Sequence, residues 1–246
     1  MARYKIILAY DGTQYSGSQR QATARTAQSE LEKALRQLGW QGKSVLLAGR
    51  TDSGVHASGQ VAAFDLPWKH EPADLIRALN SNLPAEMAVS AARIVPDDFH
   101  PRFDASSRCY CYRLYCQPLR DPLRERFAWR LWPALDGAAL DEAARLIPGT
   151  HDFAAFGTPP RAGNSSVRTV MKAGWHNQAD EWTFEVQADA FLYHMVRRLV
   201  FVQVAVGQGK FPAQIVADML AGKSSLVPAG LAPANGLTLV EVTYPE

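Results

Sequence analysis

Cysteine is scarce in this chain. Cys109, Cys111 and Cys116 are the only three, all on one expected strand. A tight, odd-numbered set of this kind excludes a disulfide framework. No second cluster of cysteines and histidines at zinc spacing accompanies them, so no metal site is expected. Long apolar runs are also missing. The longest, over residues 199–206, is interrupted by Gln203 and falls well short of the roughly 20 residues that span a bilayer. Neither sign of charge dominates: 26 Lys and Arg against 24 Asp and Glu leave a net +2. That balance permits a nucleic-acid partner without arguing for one, since a binding face would need local clustering of charge. The chain contains no GxxxxGK[ST] loop, no Gly-x-Ser-x-Gly elbow and no HExxH helix, which removes P-loop, serine-hydrolase and zinc-peptidase chemistry. A glycosidase's second working carboxylate is not evident either; Asp97-Asp98 is the nearest pair and lies in a polar connector.

What is present describes an ordered globular chain, with 47% hydrophobic and 20% charged residues over 246 positions, long enough for one large or two smaller cored domains. Met1-Ala2-Arg3-Tyr4-Lys5 runs directly into a strand. No signal peptide is therefore expected, and the expected location is cytoplasmic.

Periodicity and turn residues predict strands at 4–10, 44–48, 59–64 and 87–95, with helices after Thr26 and from Pro72. Thr26 is the N-cap type of residue, and Leu31, Ala34, Leu35 and Leu38 share one helical face before Gly39. The polar stretch 13–25 between them is either disordered or a binding loop. The order β-α-β-β-α-β is the split βαβ arrangement of ferredoxin-like domains. After a polar connector at 96–104, strands are expected at 108–116, 167–175, 181–187 and 236–244, and helices at 136–147, 191–206 and 212–220. The expected fold is α+β: two ferredoxin-like halves, 1–104 and 105–246, with mostly antiparallel sheets and helices packed on one side.

The chain is organised around residues 48–60, where Ala48-Gly49-Arg50-Thr51-Asp52-Ser53-Gly54-Val55-His56 separates two apolar strands. Glycines at 49, 54 and 59 suit a loop that bends sharply or approaches another group closely. One reading is a solvated turn capped by Asp52; the other is a rigidly supported functional loop. In 108–112, alternation puts Arg108, Tyr110 and Tyr112 on one face and the cysteines on the other. That face either stacks a nucleobase or forms part of a sheet with polar tips. His194, Arg197 and Arg198 fall at i, i+3 and i+4 on the expected long helix. They form a solvated basic face unless Arg197 points inward, in which case it needs an anionic partner, and Asp52 would serve.

These residues bring a family into view. Arg50-Thr51-Asp52-Ser53-Gly54-Val55-His56 resembles the active-site motif of the TruA-type tRNA pseudouridine synthases. Tyr10-Asp11-Gly12-Thr13 with Gly17-x-Gln19-Arg20-Gln21 resembles the family's N-terminal signature. Further blocks agree in order: Asn80-Ser81-Asn82-Leu83-Pro84, Phe99-His100, Arg102-Phe103, Arg108-x-Tyr110-x-Tyr112, His151-Asp152-Phe153, Phe191-Leu192-x-His194-Met195-Val196-Arg197 and the closing Gly236–Pro245 stretch. The resemblance implies two α+β domains with RNA in a basic cleft between them, a homodimer, and isomerisation of uridine to pseudouridine at tRNA positions 38 to 40 in the anticodon arm, with neither metal nor organic cofactor. It implies that Asp52 is the catalytic carboxylate, that Tyr110 packs against the target base, that Arg197 is the basic partner of the aspartate and that Arg50 helps displace the base. Arg20 and His56 join the substrate-binding set. Asp52 would act as nucleophile or as base, on a uridine flipped out of its stack. Two positions depart from the family pattern: Ser18 stands where tryptophan is usual, and Ser53 replaces the common alanine. Two rival functions remain: an RNA-binding protein without catalysis, and a hydrolase that would release free base.

Overall fold

The computed structural model describes residues 1–159, 163–223 and 228–245. In chain order the elements are β1 (Ala2–Tyr10), α1 (Ala27–Gln37), β2 (Leu46–Leu47), β3 (His56–Leu66), α2 (Pro72–Asn82), β4 (Met87–Val95), β5 (Ser107–Cys116), β6 (Trp129–Leu131), α3 (Gly137–Arg145), β7 (Gly149–Asp152), β8 (Val167–Gln178), β9 (Glu181–Ala188), α4 (Met195–Gly207), α5 (Gln214–Leu220) and β10 (Leu237–Thr243). They form two compact units, Met1–Ser106 with Thr238–Glu246, and Ser107–Leu237. The expected α+β class with mostly antiparallel pairing is observed.

In the first unit β1 is central, antiparallel to β3 on one side and to β4 on the other. β3 is buried along almost its whole length, as expected of a strand covered on both faces. Its far edge is shared. Leu46 and Leu47 of β2 pair with Ala63 and Ala62, while Thr238 and Leu239 of β10 run parallel to it at His56 and Ala57. β2 has two residues where five were expected: the Val45 N–H donates to Glu32 Oε1 (3.1 Å) and its carbonyl accepts from the Gln28 amide (3.4 Å), so helix side chains take up its backbone groups instead of β3. β3 also begins three residues earlier than expected, so His56 belongs to the strand and not to the loop. Thr26 caps α1 in a reciprocal capping box with Ser29, and Gly39 follows the helix at φ +85°. The polar stretch 13–25 is ordered. Ser16 N–H donates to Arg25 O (2.9 Å) and Ala27 N–H to Gly17 O (3.3 Å), with Tyr15 buried edge-on against Tyr10.

In the second unit β5, β9, β8 and β7 pair successively as antiparallel neighbours, and β6 runs parallel to β5. β6 and β7 are too short to show a period in sequence. α3 packs on β8 and α4. α4 is buried nearly all round. The glutamine that interrupts its apolar run is satisfied there: Gln203 Oε1 accepts from the Trp175 indole N–H (2.8 Å) and its amide donates to Leu199 O (3.1 Å). The helix begins at Met195, four residues later than expected. His194 has φ +67°, a left-handed conformation that no helix continues through, and Tyr193 pairs instead with Thr158 as an isolated bridge. His194 therefore does not share a helical face with Arg197 and Arg198.

Candidate active site

Asp52 sits on the crossing between β2 and β3, partly exposed, and the turn 52–55 is closed by Val55 N–H donating to Asp52 O (3.1 Å). Gly54 supplies the positive φ (+79°) that this turn requires. Behind it lies a buried polar knot. The Tyr10 and Thr51 hydroxyls are 2.8 Å apart. Thr51 N–H donates to Ser18 Oγ (2.8 Å), and Ser18 N–H returns a bond to Thr51 O (3.1 Å). Gln60, fully buried, clamps Gly49 from both sides, its amide donating to Gly49 O (2.9 Å) and its Oε1 accepting from Gly49 N–H (3.3 Å). Burial drives the Tyr10 phenol above its ordinary pKa, against the hydrogen bonds of Thr51, Gln60 and Ser18. A fully satisfied buried network of this kind fixes a loop in one geometry. Sequence reasoning identified the loop but not Tyr10, Ser18 or Gln60 as its supports. Each reads as an ordinary polar residue until the tertiary approach selects its partner.

Ser18, the departure from the family pattern, is fully buried and accepts the backbone N–H of the residue before Asp52. Ser53 is exposed, and its hydroxyl donates to Tyr15 O (3.3 Å).

The other expected site residues are placed differently. His56 is only 4% exposed. Its Nδ1 accepts the Gly12 N–H (2.9 Å) and lies 3.1 Å from Asp11 Oδ1. His56 thus fastens β3 to the turn after β1. Arg20 is ion-paired with the buried carboxylate of Glu32 (2.7 Å) and also donates to Lys43 O (3.0 Å). Arg50 is exposed and lines a cavity in this unit, and Asp52 is not among the residues lining it.

In the second unit Tyr110 is 8% exposed and meets Phe191 edge to face, with centroids 5.1 Å apart. Tyr112, two residues on and on the same face, is core: it is completely buried and its hydroxyl donates to Pro233 O (2.8 Å). Arg108 donates to Asp189 O (2.8 Å). Arg197, in the first turn of α4, is half-buried, and its Nε–H donates to Ala232 O (2.7 Å). Burial pushes the Tyr112 phenol far above its ordinary range, while the charge of Arg197 pulls the other way. Among the described residues no cluster of three or more His, Cys, Asp or Glu could hold a metal ion, and no helix is long and apolar enough to cross a membrane. None of the three cysteines forms a disulfide.

A partly exposed carboxylate on a loop tied down by buried polar groups is the kind of site that carries acid–base or nucleophilic chemistry. The family profile of tRNA pseudouridine synthase matches residues 6–104 and 143–245. The tRNA pseudouridine synthase A of Syntrophotalea carbinolica is 41% identical over 245 residues, 99% of this chain and 97% of that protein. The enzyme of the same name from Methylacidiphilum infernorum is 42% identical over 243 residues, 98% of this chain and 95% of its own. The chain belongs to the tRNA pseudouridine synthase family. Among solved structures, a chain of the archaeal box H/ACA sRNP Nop10-Cbf5 complex aligns over 80% of this chain and 45% of its own, at 12% identity and a TM-score of 0.34; that likeness carries no weight here.

Proposed function

We propose that this protein converts uridine to pseudouridine at positions 38 to 40 in the anticodon arm of tRNA, with Asp52 as the catalytic carboxylate. The observation that carries the reading is the suspension of Asp52 on a loop fixed by Tyr10, Thr51, Ser18 and Gln60, in a chain similar over nearly its whole length to enzymes of that name. In the reaction the C1′–N1 bond breaks and a C1′–C5 bond forms on the same sugar. C5 loses a proton and N1 gains one, so substrate and product have the same composition. One carboxylate suffices, either attacking the substrate or removing the C5 proton. The target uridine is extruded from its stack. Tyr110 offers the aromatic contact for its base, Arg197 serves as the basic partner of Asp52, and Arg50, on the neighbouring stretch of the loop, helps displace the base. The near-zero net charge leaves RNA affinity to such local groups.

The test is pseudouridine mapping by carbodiimide labelling on an unmodified tRNA transcript, for the wild type, Asp52→Ala and Asp52→Asn. Anticodon-arm signal from the wild type, absent in both variants while tRNA binding persists, is the expected result. Binding without any wild-type signal would replace the enzyme by an RNA-binding protein, and release of free uracil would replace it by a hydrolase. A homodimer acting in the cytoplasm belongs to the same proposal; sedimentation of the purified protein and fractionation of cells check those two points.

A further inference from the structure

Residues 100–104, in the first unit, form a turn fixed from several sides. His100 N–H donates to Asp104 Oδ2 (2.8 Å), Arg102 N–H to His100 Nδ1 (3.1 Å), and Asp104 N–H to His100 O (3.1 Å). The approach to the turn is fastened too: the Tyr244 hydroxyl donates to Pro101 O (2.7 Å), and Arg3 donates to Phe99 O (3.3 Å). Yet this well-tied turn holds Phe103 75% exposed. His100 packs beside the ring with centroids 4.3 Å apart, and the Arg102 guanidinium lies 5.9 Å from its centre. A solitary exposed apolar side chain needs no explanation. A rigidly held aromatic ring beside a cationic cavity does.

That cavity, of about 260 Å³, is lined by Phe103, His100 and Arg102 together with Arg50 and Arg20, and β2 contributes apolar lining. An occupant that answers both features has a flat π face and a negative charge close to it. A free anion would leave the ring without a role, and an apolar peptide would not answer the exposed Arg50 guanidinium at the cavity wall. A nucleotide satisfies both, since bases of any identity stack on aromatic rings and arginine recognises phosphate in a forked geometry.

We propose that this cavity is a second nucleotide subsite. An unpaired nucleotide of the tRNA, not the target uridine, stacks its base on Phe103 and sets its phosphate against Arg50 and Arg102. Asp52 does not line the cavity, but Arg50 is two residues from it in the chain. The subsite thereby fixes the register of the RNA on the loop that carries the carboxylate. Phe103 is a positioning residue. The inference rests on the tRNA reading above and deepens it.

The experiment measures KM and kcat for pseudouridine formation, and Kd by filter binding, on one unmodified tRNA transcript. The proteins are the wild type, Phe103→Ala, Phe103→Leu and Phe103→Trp, with sedimentation of each. Phe103 is exposed, so its truncation leaves the fold intact. Loss of a stacked base raises Kd and KM about tenfold or more, with kcat retained, in the Ala and Leu variants alike, and Trp restores both constants. Unchanged constants in Phe103→Ala would overturn the subsite, and so would a Leu variant equal to the wild type, because apolar bulk would then suffice. A change in sedimentation without loss of tRNA affinity would assign the ring to contact with a second copy of the chain instead. If the wild type itself neither binds nor modifies tRNA, the broader reading fails; if it does both and Phe103→Ala matches it, the subsite alone fails.

Discussion

Gly12 has no room for a side chain, because a Cβ there would collide with the Val55 carbonyl group. Val55 closes the turn that carries Asp52, so the collision would be relieved by moving the turn. Gly12→Ala is therefore expected to cost about 1–3 kcal/mol, the range for forcing atoms into a packed site, and to lower kcat more than it weakens tRNA binding. Urea unfolding and steady-state kinetics check the two parts separately. Ser18→Ala acts by a different route. It removes the acceptor of the Thr51 N–H in a fully buried position, and an orphaned buried donor costs about 1–3 kcal/mol. A lowered Tm with a reduced kcat is expected. A Tm equal to the wild type would mean that the loop does not depend on this bond. The contrast between these supports and Asp52 shows what a sequence exposes at this scale. The loop that carries Asp52 was legible because glycines, an arginine and a carboxylate crowd one short stretch between apolar strands. Ser18 and Gln60 were not, since the choice of a buried hydrogen-bond partner is made only when distant segments meet.

Elements with a full amphipathic period were read correctly, and elements whose limits are set by neighbours were not. β1, α1, α2 and β4 carry their own patterns and caps. β2 is shortened because the Val45 backbone bonds to the Glu32 and Gln28 side chains of α1; α4 starts late because of one left-handed residue. The β8–β9 hairpin was legible as a pair of strands, but its tie to the preceding segment was not. Asp180, in its turn, receives a forked bond from Arg124 (2.7 and 3.2 Å) and another from the Gln117 amide (2.8 Å). These donors hold its carboxyl at about 2, below the ordinary 3.8. A carboxyl with a depressed folded-state pKa stabilises the fold above its unfolded value, and that contribution disappears as pH falls from about 3.8 through about 2. The pair is partly solvated, with side-chain exposures of 26% and 30%, so its worth is at most about 1 kcal/mol. Asp180→Asn is expected to unfold at lower urea than the wild type near neutral pH and at the same urea near pH 2. A difference that persisted undiminished in acid would place the effect in packing and not in charge.

At the scale of the molecule, the first unit is built from both ends of the chain. Its opening hundred residues form β1 to β4, but β10 arrives from the far end to pair with β3 at His56 and Ala57, next to the Asp52 loop. Gly59 admits β10 closely, since a Cβ there would strike the Val240 carbonyl group. Ser106 donates to Thr243 O through both its N–H (2.9 Å) and its hydroxyl (3.1 Å). Tyr244 ties down Pro101 (2.7 Å) and covers the Lys5 ammonium, 3.5 Å from its ring centre. Leu239 and Val242 are buried. A fragment of residues 1–106 would lose all of these contacts and leave one edge of β3 open, a template for unwanted pairing. The order of elements alone does not disclose this, because nothing local to β10 names its partner. The fragment is expected to be poorly soluble or molten, without the cooperative urea transition of the full chain. Joining residues 236–245 to it through a flexible linker, or adding them as a peptide, should restore a cooperative transition and protect the amides of His56 and Ala57 from hydrogen exchange. A fragment 1–106 that unfolds cooperatively at the same urea concentration as the linked form would show that the closing strand is dispensable to the unit that carries Asp52.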